Sequence, residues 1–258
     1  MNLHLDFETR CEADLPKVGL MNYVNHPTFK VLLTAWSEGD GDVHLYEGLP
    51  PLPWHRYLIH AFNAPFERAV LASQGVEPPA SQFRCTMYHA YCRAFSGGLA
   101  DVGEQVGIPK DRAKLATGSR LINKFCKPRK PSRDNPDLFW TPQTAPEEWE
   151  LFKEYCRQDV VAERTIAEIL SEWPLQKGEE DLWVWDQEVN LRGLPVDTAF
   201  AFQAARECDH WREEYLRELK AITGLANPNS RDQMLNWARE QGYPEDNLRA
   251  DTVREYFK

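Results

Sequence analysis

The sequence predicts an α/β layer fold, a mixed sheet with helices on its faces. Three observations carry that prediction. Residues 3–8 alternate apolar and polar side chains at a period of two. Two more strand-like stretches follow, separated by a turn-forming tetrapeptide. Much later, residues 146–170 are rich in helix formers with a helical apolar period.

Taken in order, Leu3, Leu5 and Phe7 form one face of the first strand, and His4, Asp6 and Glu8 form the other. Val31–Trp36 and Val43–Tyr46 read as strands, and Glu38-Gly39-Asp40-Gly41 reads as the turn between them. With residues 3–7 these make a meander. Residues 57–61 are a short apolar run that would add beside the first strand. Asn63 suits a helix N-cap, with Pro65 tolerated in the first turn. Thr86 and Asp101 are candidate caps for two further helices. In the long helix, Leu151, Tyr155, Asp159 and Ala162 are expected to share a face.

A second unit is expected from about Trp173-Pro174, dividing the chain into 1–174 and 175–258. Residues 175–192 have helical character, and RGLPVD reads as a stop, a turn and a restart. A long charged helix should run from Asp197 to about Ile222, and a shorter one should follow a cap at Ser230.

The chemistry rests on four acids in three short motifs: Asp6 and Glu8 in LDFET, Glu67 in NAPFER and Asp159 in YCRQDV. Asp6 and Glu8 lie two apart on a strand, so they project from the same side. Tyr155 and Asp159 lie four apart on a helix, so phenol and carboxylate are neighbours. Glu67 falls in a first helical turn, where an anion is favoured. Singly, each acid reads as a solvated charge. Converging, they need cations, and their natural ligands are hard divalent metals. Two such metals form a clamp for in-line attack on a phosphodiester.

Composition sets limits. A chain of 258 residues holds one good-sized domain, or one and part of another. There is no apolar run of membrane-spanning length and no signal-peptide pattern, so a cytoplasmic protein without a membrane partner is expected. The six cysteines show no CxxC spacing, which suits buried or indifferent thiols in a reducing compartment. The net charge of −10 is unusual for a protein that handles nucleic acid. It is, however, unevenly spread. Between Lys110 and Arg133 nine basic residues, Lys114, Lys124, Lys127, Arg129 and Lys130 among them, face Asp111 alone. Such a run is either a solvated loop or a grip on backbone phosphates.

These motifs resemble the proofreading 3′→5′ exonuclease domain of family A DNA polymerases, phage forms especially, within the DEDD superfamily. LDFET, HAFNAPFER and YCRQD match its three motifs, and Tyr155 corresponds to the tyrosine subclass. The stretches VGLMNYVNHPTFKVLLTAWS and GSRLINKFCKP are similar too, and the likeness covers roughly the first 175 residues. Many members have Asp where Glu67 stands. The resemblance implies a ribonuclease H-like sheet and two Mg²⁺ or Mn²⁺ ions. Asp6 would bridge them, Glu8 and Asp159 would complete the tighter site, and Glu67 would support the second ion. Tyr155 would orient the attacking water, and Thr9, Asn63 and Phe66 would border the terminal nucleotide of a single strand or frayed 3′ end. The later helices resemble the start of a polymerase thumb, with no counterpart of fingers or palm. A missing polymerase domain or a separate polymerase subunit is therefore the expected partner, and no synthesis is expected from this chain. Two alternatives stay open: an RNA-processing exonuclease with the same carboxylates, and a non-catalytic binding module that keeps the fold.

Overall fold

The computed structural model describes residues 1–113, 118–132 and 137–258. They form two compact units, Met1–Arg192 and Gly193–Lys258.

The first unit is built on five strands: β1 (Asn2–Arg10), β2 (Lys30–Glu38), β3 (His44–Glu47), β4 (Leu58–Ala61) and β5 (Phe83–Cys85). Their order across the sheet is β3-β2-β1-β4-β5, with β1 in the middle. β1 pairs antiparallel with β2, and β2 with β3, which is the expected meander. β4 joins β1 in parallel, with Leu3 opposite Ile59 and His4 opposite His60. β5 extends the parallel half of the sheet. This is the mixed α/β sheet of a ribonuclease H-like fold. At three residues β5 is too short to show a period, and the sequence reading passed over it.

The helices of this unit are α1 (Leu15–Val18), α2 (Leu20–Val24), α3 (Ala64–Ser73), α4 (Thr86–Cys92), α5 (Leu99–Val106), α6 (Gly118–Phe125), α7 (Pro146–Leu170) and α8 (Lys177–Arg192). The two faces of the sheet are covered differently. Leu3, Leu5 and Phe7 pack with Tyr23 and Val24 of α2, Val70 and Leu71 of α3, and Trp183 of α8. On the other face, Leu33 and Ala35 of β2 meet Phe152, Tyr155, Cys156 and Val160 of α7 and Leu121 and Phe125 of α6. The period of β1 therefore sends its apolar residues to one layer and His4, Asp6 and Glu8 toward α7. The far half of α7 packs Ala162, Ile166 and Leu170 against α4 and α5.

Three local expectations are corrected. Leu151 is 52% exposed, and Phe152, fully buried, takes its place on the inner face of α7. A helix that buries a broad face shifts its centre by one residue without changing its period. Thr86 is the first residue of α4 rather than its cap, and its hydroxyl is turned inward to Glu163. Asp101 lies one turn into α5, where its carboxylate accepts from the Gly98 N–H at 2.8 Å. Asn63 does stand at the N-cap of α3, though without a side-chain capping bond. The first unit continues through α8 to Arg192, past residue 174, because Arg68 donates to the Gln187 carbonyl and Trp183 is buried in the core.

The second unit holds α9 (Thr198–Thr223), α10 (Arg231–Glu240) and α11 (Ala250–Tyr256). Asp197, expected as the start of the long helix, caps α9 by accepting from Phe200 N, and Ser230 caps α10, as expected, by accepting from Gln233 N. Gly193, at φ +66°, supplies the left-handed residue that ends α8. Among the described residues no helix is long and apolar enough to cross a membrane.

Candidate active site

The middle of β1 and the inner face of α7 bring the acids together. Asp6 is half-buried and Glu8 is buried, both on the α7 side of the sheet. Cys156, one turn before Asp159, offers its thiol to Asp6 Oδ2 at 3.9 Å. One ligand atom from each of Asp6, Glu8 and Cys156 lies within 4.8 Å of the others. Cys126, at the end of α6, offers its thiol to Glu8 Oε2 at 3.8 Å. Burial and these carboxylates raise both thiol pKa values, so the sulfurs stay protonated as weak donors.

Tyr155 and Asp159 are buried on the same face of α7. The Tyr155 hydroxyl hydrogen-bonds Asp159, and burial with the charges of Asp159, Glu8 and Asp6 pushes its pKa far upward. The phenol thus feels the charge of all three carboxylates and bonds one of them. A phenol so perturbed is a donor at neutral pH and not a base.

Glu67 comes from the opposite layer. β4 runs parallel to β1, and α3 begins just past its carboxyl end, where ligands of parallel sheets commonly bind. The first turn of α3 turns Glu67 inward until it is 4% exposed. Burial, then the charge of Asp6, then that of Glu163 raise its pKa well above the carboxylate range. Its Oε2 is buried with no hydrogen-bond partner. A buried carboxylate oxygen left this way is costly unless a proton or a cation meets it.

Below this cluster lies a second one that sequence reasoning missed. His4 Nδ1 and Glu163 Oε2 are 2.6 Å apart, and Thr86 donates to the other oxygen of Glu163. His60 completes the group, its ring centroid 4.8 Å from that of His4. The signal was present: His4 is two residues before Asp6 on the same strand face, and Glu163 is one turn beyond Asp159 on the same helix face. Extending either period by one step finds the pair.

The remaining candidates divide. Asn63 is exposed beside the first turn of α3. Phe66 packs on the core, 6.4 Å from the Tyr23 ring. Thr9 is buried, its hydroxyl 3.0 Å from that of Tyr23. In the basic run, Lys124 forms an ion pair with Glu148 and lies over the Trp140 ring. The Arg129 guanidinium covers the same ring and donates to the Asp137 carbonyl at 3.2 Å. Lys127 and Lys130 are exposed. They follow Cys126, whose carbonyl accepts from Cys11 N, so the segment leaves directly beside the end of β1. Lys114 and Arg133 lie outside the described residues.

Fold and cluster together define an α/β unit with buried and half-buried carboxylates between its central strands, α3 and α7. No family model matches the chain. It is similar to a protein named DNA polymerase from Bacillus phage SP02, with 33% identity over 268 aligned positions. The alignment takes in 99% of this chain and 41% of that protein, so the chain spans about two fifths of the length of the curated relative it matches. The chain is thus related to part of a phage DNA polymerase.

Proposed function

We propose that the chain is a divalent-metal-dependent 3′→5′ exonuclease of the proofreading type, which hydrolyses the terminal phosphodiester of a DNA strand and releases nucleoside monophosphates. The observation that carries this reading is that Asp6, Glu8, the Tyr155–Asp159 pair and buried Glu67 lie near enough to perturb one another's charge between β1, α7 and α3. The relationship to a polymerase supports the substrate class.

The residues fit two hard cations. All four acids are oxygen donors, and the partnerless Oε2 and raised pKa of buried Glu67 are consistent with a cation on that side. Asp6 would be a ligand shared by both sites. Glu8 and Asp159 would complete one site, and Glu67 would support the other. When bound, two such ions activate the attacking water and stabilise the leaving oxygen.

The chain's own groups do the rest. Tyr155 keeps its proton and orients the water through its hydroxyl, anchored by Asp159. Asn63 stands exposed where the terminal nucleotide would enter. Lys127 and Lys130, exposed in the segment that leaves beside β1, would hold backbone phosphates, while Lys124 and Arg129 brace Trp140. A polymerase domain, in the same chain or a partner, would supply the frayed 3′ end.

The test is a single-stranded oligonucleotide labelled at either end. With Mg²⁺ or Mn²⁺ the 3′ label should leave first as a mononucleotide, and excess chelator should stop the reaction. Release from the 5′ end, or full activity in chelator, would reject the reading. A matched RNA strand separates the RNA-processing alternative, because only contacts to the 2′-hydroxyl enforce RNA preference.

A further inference from the structure

Tyr155 is held from both sides. Phe152, one turn earlier on α7, stacks on it with ring planes 5° apart and centroids 6.3 Å apart. Against its edge lies Gly118, the first residue of α6, which is buried. A Cβ built on Gly118 would stand 2.2 Å from Tyr155 Cε2, 2.7 Å from Cζ and 3.0 Å from Cδ2. Those atoms are the edge of the ring that carries the hydroxyl. Gly118 is the first residue of an α-helix, a place that does not call for glycine. Only the closeness of the ring does.

We infer that Gly118 is a positioning residue for the candidate reaction: the side chain it lacks is the space that seats the Tyr155 ring and keeps its hydroxyl on Asp159. This rests on the exonuclease reading of the site. The ring cannot stay in place beside an added methyl group, and the parallel Phe152 ring limits its displacement across its own face. It must tilt or swing about its side-chain torsions, and the hydroxyl, farthest from the backbone, moves most. The competing account is that glycine merely lets α6 approach α7. Under that account an added methyl lowers stability and leaves turnover alone.

The two accounts separate in a double-mutant cycle. Cleavage of a 3′-labelled single strand is followed with Mg²⁺ at saturating strand, well below each variant's melting temperature, for the unsubstituted chain, Gly118→Ala, Tyr155→Phe and the double variant. We expect Gly118→Ala to lower kcat by about a hundredfold, the scale of an ångström-sized misplacement, with KM for the strand little changed. The double variant should be no slower than the worse single variant by more than about twofold, because both changes act through one hydroxyl. If Gly118→Ala folds poorly, Gly118→Ala/Phe152→Leu gives the ring room to retreat. It should recover folding and still turn over slowly. Wild-type kcat in either alanine variant, or losses that multiply in the double variant, would overturn the inference. No cleavage of any strand by the unsubstituted chain would instead overturn the exonuclease reading, and this inference with it.

Discussion

Two buried glutamates, Glu163 and Glu67, sit close enough to feel each other's charge, yet the protein treats them in opposite ways. Glu163 lies in the lower layer of the β1–α7 contact. One oxygen meets His4 and the other accepts from Thr86. Glu67 lies in the upper layer beside Asp6, and its Oε2 has no hydrogen-bond partner. The chain can evidently compensate a buried carboxylate between this strand and this helix when the carboxylate is structural. No such partner meets the Glu67 Oε2, the oxygen that would face a cation under the proposed function. The lower layer is compensated from within, and the upper layer is the one that the proposed function assigns to the cations.

The largest effect expected of this division concerns the upper layer alone. Asp6→Ala should lower metal-dependent cleavage by about 10³-fold or more, the scale of losing an essential electrostatic group. Folding should be intact, since Asp6 raises the Glu67 pKa and its removal relieves that repulsion. Asp159→Ala should behave nearly alike. Strand-cleavage rates and thermal melts in chelator check both halves. An Asp6→Ala protein that cleaves at the wild-type rate would place the chemistry elsewhere.

A crossed pair of substitutions tests the contrast itself. Glu163→Leu removes the group that His4 and Thr86 address and leaves buried polar groups behind, so stability should fall by about 3 kcal/mol. Glu67→Gln removes a charge that the fold does not compensate, so the metal-free protein should become more stable while cleavage drops. Denaturant melts with and without Mg²⁺ read both. If Glu67→Gln destabilises as Glu163→Leu does, the two layers are alike and the comparison is void.

Tyr155→Phe, of smaller effect, should slow turnover about tenfold to a hundredfold and leave metal affinity nearly unchanged, because it removes an orienting group and no ligand. A loss as deep as that of Asp6→Ala would mean that the phenol does more than orient.

Much of this arrangement was legible in the sequence, and the limits were physical. The period of β1 assigned Asp6 and Glu8 to one face, and the span of α7 was read to the residue. Both are long elements whose patterns repeat enough to average out exceptions. The short β5 had no such pattern. The exact inner face of α7 was misplaced by one residue at Leu151, because Leu151 and Phe152 are both apolar and only packing chooses between them. Gly118 carries no signal in a single sequence. Its meaning lies in the distance to a ring 37 positions away, and tertiary packing alone sets that distance. Lys124 and Arg129 looked like the rest of the basic run, yet their charges are engaged with Glu148 and Trp140.

The last prediction belongs to the lower layer and its pH dependence, and it leaves cleavage least affected. Burial lowers the His60 pKa from 6.5 to about 4, against the charge of Glu163, with smaller lowering from His4 and Arg84. Its Nε2 is buried with no hydrogen-bond partner, so the folded protein favours the neutral ring. The unfolded chain takes up that proton near pH 6.5, and the folded protein only near pH 4. The stabilisation is therefore complete above pH 6.5 and is lost as pH falls toward about 4, a change of about 3 kcal/mol. In His60→Leu that part of the slope should vanish, while cleavage at neutral pH stays near wild type, because the ring serves packing and not the upper layer. Stability curves across pH 4 to 7 decide it. An unchanged slope would show that His60 titrates alike folded and unfolded. A deep loss of cleavage at neutral pH would instead tie the lower layer to the reaction and erase the division between the two glutamates.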